Sequence, residues 1–497
     1  MDGYFYFIMI QISSWHEFFS SISLLLNGFY VAVVAVIVLL IILENRSPIR
    51  SVSWILVVTL VPLLGIVLYF FFGQQYRKQI LVSIRALRFR KRVKLLAEEQ
   101  LKQLSRIRLT DVDPRLAEKK DIMALLLRND RAFLSRNKEV CLLNNGSETF
   151  PELIRSLKTA RHHIHMEFYI FNFDVIGREI FSILKEKARQ GVEVRIIFDS
   201  VGSARVPLKI KREAREAGIR LRSFQKVIFP LLSSHVNYRN HRKIIVIDGS
   251  IGFTGGLNIA DRYAEEGKNF WRDTFVKIVG RSAAALQAIF INDWFYVSKE
   301  NIYHDRYFTE EEEGTQNLTQ ILSSGPDSDW QAISQFYFSA ITTARNRVYI
   351  VTPYFIPNEE LSFALKAAAL RGIDVRILIP SISDTIVSHW SSLSYVNEMI
   401  RAGVKMYRYN KGFCHSKLLI ADEVLSSVGS ANFDYRSLET NFEVCAVFYD
   451  PKITAELTRH FFIDLSTSTQ ITSQEWKKRG WANKLATSLA RLFAPLM

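Results

Sequence analysis

His241-Arg242-Lys243-Ile244-Ile245-Val246-Ile247-Asp248 and His415-Ser416-Lys417-Leu418-Leu419-Ile420-Ala421-Asp422 are one phrase written twice, H-x-K-x-x-x-x-D. In each copy an Asn follows the His by 17 positions, Asn258 and Asn432. The apolar, β-branched run inside each phrase predicts a strand. Successive strand side chains alternate between faces, so a His and a Lys two apart share one face. The Asp stands seven after the His, an odd spacing that turns it away or places it past the strand end. Asp248-Gly249 reads as a turn. His and Lys are therefore the firmer candidates for a phosphate-facing pair. Two imidazoles and two ammonium groups suit transfer of a phosphoryl-type group, one His attacking phosphorus and the other handling the leaving-group proton.

The duplication extends outward from the phrases. Ala160-Arg161 before the apolar run Ile164 to Phe171 matches Ala344-Arg345 before Val348 to Phe355. Gly191-Val192-Glu193-Val194-Arg195-Ile196-Ile197 matches Gly372-Ile373-Asp374-Val375-Arg376-Ile377-Leu378. The offset shrinks from 184 to 181 to 174 residues, as in two homologous halves with small loop differences. Strands alternating with amphipathic helices predict an α/β fold. The seam is expected within Asp305 to Asp329, where Glu310 to Glu313, Gly314, Gly325 and Pro326 interrupt the apolar pattern.

The chain has 497 residues, with 64 Lys plus Arg against 49 Asp plus Glu, a net charge of +15. Such an excess suits a polyanionic partner, nucleic acid or an anionic membrane. The N-terminal region favours the membrane. Ile22 to Leu43 and Trp54 to Phe72 carry no charge, and a bilayer span needs roughly 20 mainly apolar residues. A secretory leader would open with basic residues, yet no Lys or Arg precedes Arg46; a buried core helix is the other alternative. Arg46 and Arg50 between the segments, and Arg77, Lys78, Arg85, Arg88, Arg90, Lys91, Arg92 and Lys94 after them, predict a hairpin with the remaining chain cytoplasmic. The basic run also suits anionic headgroups. The expected layout is a membrane hairpin over 1–76 (helices about 22–43 and 54–72), a basic juxtamembrane linker over 77–135, and halves over 136–305 and 319–497.

The duplicated phrase, with Gly255-Gly256-Leu257-Asn258 and Gly429-Ser430-Ala431-Asn432 after its copies, resembles the phospholipase D superfamily across roughly 136–497. Within it, Glu44-Asn45-Arg46-Ser47-Pro48, Trp54-Ile55-Leu56, Pro62-Leu63-Leu64-Gly65, Asn237-Tyr238-Arg239-Asn240 and Asp434-Tyr435-Arg436-Ser437-Leu438 are similar to the wording of bacterial cardiolipin synthases. The resemblance implies a pseudo-two-fold sandwich of two α/β halves with a shared active site. It also implies an inner-membrane, multi-pass enzyme that joins two phosphatidylglycerols into cardiolipin and glycerol through a phosphatidyl-histidine. The expected catalytic residues are His241, Lys243, Asp248, His415, Lys417 and Asp422. Asn258 and Asn432 would bind substrate, and Glu443 and Asp273 would each back an imidazole. Glu443 stands 28 after its His, whereas position 269 is Asn, so Asp273 in Trp271-Arg272-Asp273 is the less secure counterpart. His241 is expected to attack and His415 to move the proton, with near-symmetry leaving the reverse open. Neither cofactor nor metal is implied, because two Lys supply the cationic charge. The implied partners are phosphatidylglycerol and anionic membrane lipids rather than nucleic acid.

Other features read as structural. Cys141, Cys414 and Cys445 are too few and scattered for a disulfide framework or zinc site, and Asn240 stands where Cys414 stands in the other copy. His162, His163 and His165 correspond to Asn346, Arg347 and Tyr349, which favours a strand edge over metal ligation. Glu167 is a weak substrate-contact candidate. Leu485, Leu489 and Leu492, with Lys484 and Arg491 opposite, suit either an interfacial helix or one packed on the domain. A phospholipase D hydrolase, a transferase to another alcohol, a nuclease of the same superfamily and a non-catalytic membrane scaffold remain alternatives. The hairpin speaks against the nuclease, and two intact phrases speak against the scaffold.

Overall fold

A computed structural model describes residues 27–43, 48–61, 63–69, 97–102, 104, 114–203, 206–224, 238–264, 270–309, 314, 316–492 and 494. Hydrogen bonding links fifteen strands in mirrored order about a central seam. From the seam outward the first half runs Ser135–Asn144, Thr274–Gly280, Ile251–Gly255, Ile244–Ile247, His163–Phe168, Glu193–Asp199 and Arg220–Phe224. The second runs Gln316–Ser324, Glu443–Tyr449, Leu425–Gly429, Leu418–Ala421, Arg347–Val351, Asp374–Pro380 and Lys405–Tyr409, with Ser468–Gln470 added at its edge. At the seam Ser135 pairs with Thr319 and Asn137 with Gln316, antiparallel. The second half thus starts inside the predicted interruption, although Glu310 to Glu313 lie outside the described residues.

The motif strands Ile244–Ile247 and Leu418–Ala421 are buried on both faces, which explains their continuous apolar sequence. Ile244 and Val246 join Leu418 and Ile420 in one core shared by the halves. Their alternate neighbours Ile245 and Ile247 face the first half's helices, and Leu419 and Ala421 face the second half's. The halves therefore pack face to face, as a sandwich requires, while their edge strands also join.

The expected linker differs. Its cations between Arg77 and Lys94 lie outside the described residues, but Pro114–Ala117 and Lys120–Asn129 are helices of the catalytic unit. Leu116, Ile122, Met123, Leu126 and Leu127 enter the second half's core. The amphipathic spacing Ile122, Met123, Leu126, Leu127 drives this burial.

The N-terminal region is a separate unit. Residues 27–43 form one helix and Pro48–Leu60 and Leu64–Leu68 two more. Ile37, Ile41, Val58 and Tyr69 form its core, and the Tyr30 hydroxyl donates to Val58 O at 3.3 Å. The expected continuous helix over 54–72 is broken. Pro62 disfavours helical backbone in the residue before it, and Leu63 takes φ +58°. Among the described residues no helix is long and apolar enough to cross a membrane. Residues 22–26, 70–72 and the turn residues Glu44 to Ser47 lie outside the described residues.

Candidate active site

Each H-x-K phrase leads into its strand from the same end. The His241 N–H donates to Phe442 O at 2.9 Å, and the His415 N–H to Arg272 O at 2.7 Å. Short parallel pairings reinforce this exchange, Phe413–Cys414 with Trp271–Arg272 and Asn240 with Phe442. Each histidine is therefore held against the other half by the carbonyl just before an acidic residue. His241 Nδ1 lies 3.2 Å from Glu443 Oε1, and His415 Nδ1 lies 2.7 Å from Asp273 Oδ2. The two pairs are crossed, each half supplying the carboxylate for the other half's imidazole. Asp273, the less secure expectation, occupies at His415 the position that Glu443 occupies at His241. With Nδ1 engaged, Nε2 is left for chemistry in both rings.

Tyr169 lies 4.9 Å from the His241 ring, centroid to centroid, and Trp271, Tyr263 and Phe413 lie 5.4–5.8 Å from the His415 ring. The Lys243 ammonium donates to His241 O at 2.7 Å. That of Lys417 lies 2.9 Å from His415 Nδ1 and also donates to His415 O. Burial lowers the Lys243 pKa to about 7 and that of Lys417 to about 8. Burial, then Lys243, lowers His241. Burial, then Lys417 and Lys243, lowers His415 further. The Asp273 carboxyl rises to about 6, again through burial. Burial would also raise Glu443, but His241, Lys243 and Ser430 hold it low. Burial therefore works against positive charge on both ammonium groups and both imidazoles. An arriving phosphodiester anion would reverse that pressure, favouring charged Lys and a protonated imidazole.

The motif aspartates are not brought to the imidazoles. Asp248 and Asp422 lie past the strand ends at φ +51° and +58°, about 15 Å along the strand from the Lys residues. Asp248 accepts the N–H groups of Arg161, His162 and His163 at 2.8–2.9 Å. Asp422 accepts those of Arg345 and Asn346 at 3.0 and 2.8 Å, and the Lys119 ammonium at 2.7 Å. Both anchor the turn that opens a neighbouring strand, so their placement supports a folding role and not a catalytic one. Asn258 accepts from Ile170 N–H at 3.1 Å and pairs with the Tyr263 hydroxyl at 2.7 Å. Asn432 is buried, and its amide oxygen has no hydrogen-bond partner among the described residues.

The neighbours of His241 on either side in the chain join a buried network that the sequence did not reveal. Asn240 donates to Glu167. Arg242, the variable position of H-x-K, donates to Asp293 and to Glu443 O (3.1 Å). Burial raises both carboxyls; Asp293 raises Glu167 further, whereas Arg242 and the Glu167 hydrogen bond lower Asp293, so Glu167 belongs to this buried network. Beside His415 the comparable guanidinium comes from the first half, Arg272, which donates to Asp464 at 2.9 Å. Ser430 donates to Glu443. At the equivalent Gly256 a Cβ would come within 2.0 Å of the Asp273 carboxylate, so only glycine fits. Burial pushes the Cys414 thiol up to about 12, an inert group. His163 and His165 share Gln287 at 3.1 Å, and burial lowers His163 to about 4; they belong to the strand's inner packing.

The chain is similar to known proteins over most of its length. Residues 153–294 and 337–465 match the family described as "Cardiolipin synthase, PLD-like domain", and residues 31–74 match "Phospholipase_D-nuclease N-terminal". The chain is 40% identical to a cardiolipin synthase of Geobacillus sp. (strain WCH70), over 92% of this chain and 90% of that one. It is 37% identical to a cardiolipin synthase of Staphylococcus aureus (strain Mu50 / ATCC 700699), over 92% and 93%. Its fold is shared with the phosphatidylserine synthase of Haemophilus influenzae Rd KW20, with a TM-score of 0.57 at 14% identity over 76% of this chain and 98% of that one. On the matched domain and on identity across nearly the full length, the chain belongs to the cardiolipin synthase family of phospholipase D-like phosphatidyltransferases.

Proposed function

We propose that the enzyme joins two phosphatidylglycerols into cardiolipin and releases glycerol, with His241 as nucleophile and His415 as general acid and base. The observation that carries this reading is the crossed pairing of each imidazole with a carboxylate of the other half. It orients two Nε2 atoms and makes neither half competent alone. His241 Nε2 attacks the donor phosphorus, forming the P–N bond as the P–O bond to glycerol breaks. Protonated His415 gives its proton to the departing glycerol oxygen. Neutral His415 then takes the proton from the second phosphatidylglycerol's terminal hydroxyl, whose oxygen displaces His241. Lys243 and Lys417 offset charge on the phosphoryl oxygens. Labelled phosphatidylglycerol should give cardiolipin and free glycerol without a nucleotide-activated lipid or added divalent metal. Phosphatidic acid as sole product would make the enzyme a hydrolase, and a requirement for a CDP-activated donor would remove the mechanism.

The same proposal places the N-terminal unit in the bilayer and the catalytic unit on the cytoplasmic side. Phe29, Leu43, Leu60 and Leu63 are 68–73% exposed, so this hairpin is apolar outside as well as inside, which suits lipid and not water. The cations between Arg77 and Lys94 support the orientation. A C-terminal reporter should behave as cytoplasmic. Labelling of the catalytic unit from outside intact cells would reverse the topology.

A further inference from the structure

The helix Trp481–Leu492 docks on the catalytic unit by one face only. Thr487 and Ala490 are buried, Ala490 O accepts from Ser391 Oγ at 3.2 Å, and Arg491 donates to Ser394 O at 3.2 Å and to Glu398 at 2.6 Å. These contacts seat it along the helix Ile386–Ser394. At 3.6 residues per turn, Trp481, Leu485, Leu489 and Leu492 fall on the side opposite Thr487 and Ala490. That stripe points away from the protein, with exposures of 77%, 49%, 50% and 73%. Ile386, the first residue of that neighbouring helix, and Ile382, in the loop before it, are 77% and 76% exposed.

Two further observations say what covers this face. Lys477, Lys478, Arg479, Lys484 and Arg491 all fall between 477 and 492, a stretch without a single Asp or Glu. An apolar stripe on a segment that carries cations and no carboxylate of its own, with Trp at its end, matches an anionic lipid interface better than a protein partner. The patch also adjoins the site. Tyr354 donates to Asp384 at 2.8 Å, between Ile382 and Ile386. The Tyr354 ring lies 6.5 Å from Phe413, and Phe413 lies 5.8 Å from His415.

We infer that Trp481, Leu485, Leu489 and Leu492, with Ile382 and Ile386, form a membrane-docking surface that seats the second half's rim on anionic lipid. Substrate lipids would then reach the histidines without crossing water. The inference rests on the lipid-transfer reading above, and it names the surface that delivers the lipid.

The test uses the full chain reconstituted in vesicles of phosphatidylglycerol and phosphatidylcholine. An environment-sensitive fluorophore is placed at Leu489→Cys in a Cys141→Ser background, since Cys414 and Cys445 are buried. Lipid-borne nitroxide should quench it, and should not quench the same probe at Val175→Cys, on the exposed side of a first-half helix. Leu485→Asp/Leu489→Asp should lower turnover of long-chain phosphatidylglycerol in vesicles by about tenfold or more. It should leave turnover of monomeric short-chain phosphatidylglycerol unchanged, which also reports intact folding. A probe unquenched by lipid, or shielded equally in lipid-free detergent, would overturn the inference and assign the face to water or to protein. Equal loss on both substrates would overturn it too. Failure of the parent enzyme to make cardiolipin from either substrate would count against the functional reading alone, because the quenching result stands by itself.

Discussion

Asp273 of the first half holds Nδ1 of His415 in the second half at 2.7 Å. The reciprocal contact joins Glu443 to His241 at 3.2 Å. A carboxylate behind an imidazole fixes its tautomer and steadies the imidazolium during proton transfer. Because the pairs cross, damage to one half's acid is felt at the other half's histidine.

Asp273→Asn should therefore behave as a His415 defect and Glu443→Gln as a His241 defect. Each should lower kcat by about 10²–10⁴-fold. The covalent adduct separates them, accumulating in Asp273→Asn and failing to form in Glu443→Gln. The opposite pattern, read by mass spectrometry of the quenched enzyme, would mean that the acids serve their own halves.

His415→Ala should trap a phosphatidyl group on His241, and His241→Ala should trap none. A nucleophile has no substitute, whereas lost proton transfer slows turnover by about 10²–10⁴-fold and lets the intermediate persist. A labelled peptide containing His415 would exchange the roles. Full activity in either variant would remove the two-histidine mechanism.

Lys243 and Lys417 should shape the alkaline limb of kcat/KM. Their pKa values of about 7 and about 8 mean that raising the pH through this range strips charge from the free enzyme's phosphate site. The rate should fall with apparent pKa values near 7 and 8, and Lys243→Arg should flatten the lower step, because guanidinium does not titrate there. An unchanged limb in that variant would dissociate Lys243 from phosphate binding.

Asp422→Ala should cost stability before chemistry. Lys119 and Asp422 pair at 2.7 Å with side chains 1% and 7% exposed, and leaving one partner of a buried pair alone costs about 3–5 kcal/mol. Burial would raise the Asp422 pKa, but Lys119 and the N–H groups of Asn346 and Arg345 lower it. Its stabilising contribution is thus complete above the ordinary carboxylate value of 3.8 and disappears as pH falls through the lower folded value. Thermal unfolding should show a reduced Tm near neutrality, with kcat preserved in the protein that stays folded. A lost kcat at unchanged Tm would return Asp422 to the catalytic set.

The doubled phrase alone determined the duplication, the strands and the His–Lys pairs, because β-strand periodicity and apolar runs are local properties of the chain. The odd spacing of Asp248 and Asp422 already pointed away from the site, and the turn at Asp248-Gly249 was legible for the same reason. The partners of the histidines were not legible. Asp273 lies 142 residues from His415 and Glu443 lies 202 from His241, and only closure of the two halves brings them within hydrogen-bond distance. The bracing roles of Arg242, Asn240 and Glu167 were equally illegible, since their network depends on Asp293 from a distant helix. Pro114–Asn129 fell inside the expected linker over 77–135, yet Leu116, Ile122, Met123, Leu126 and Leu127 join a core whose other members lie mostly beyond residue 320, a placement that local spacing does not encode. Local chemistry is written in order along the chain, whereas the pairing of buried charges is decided by the packing that excludes water around them.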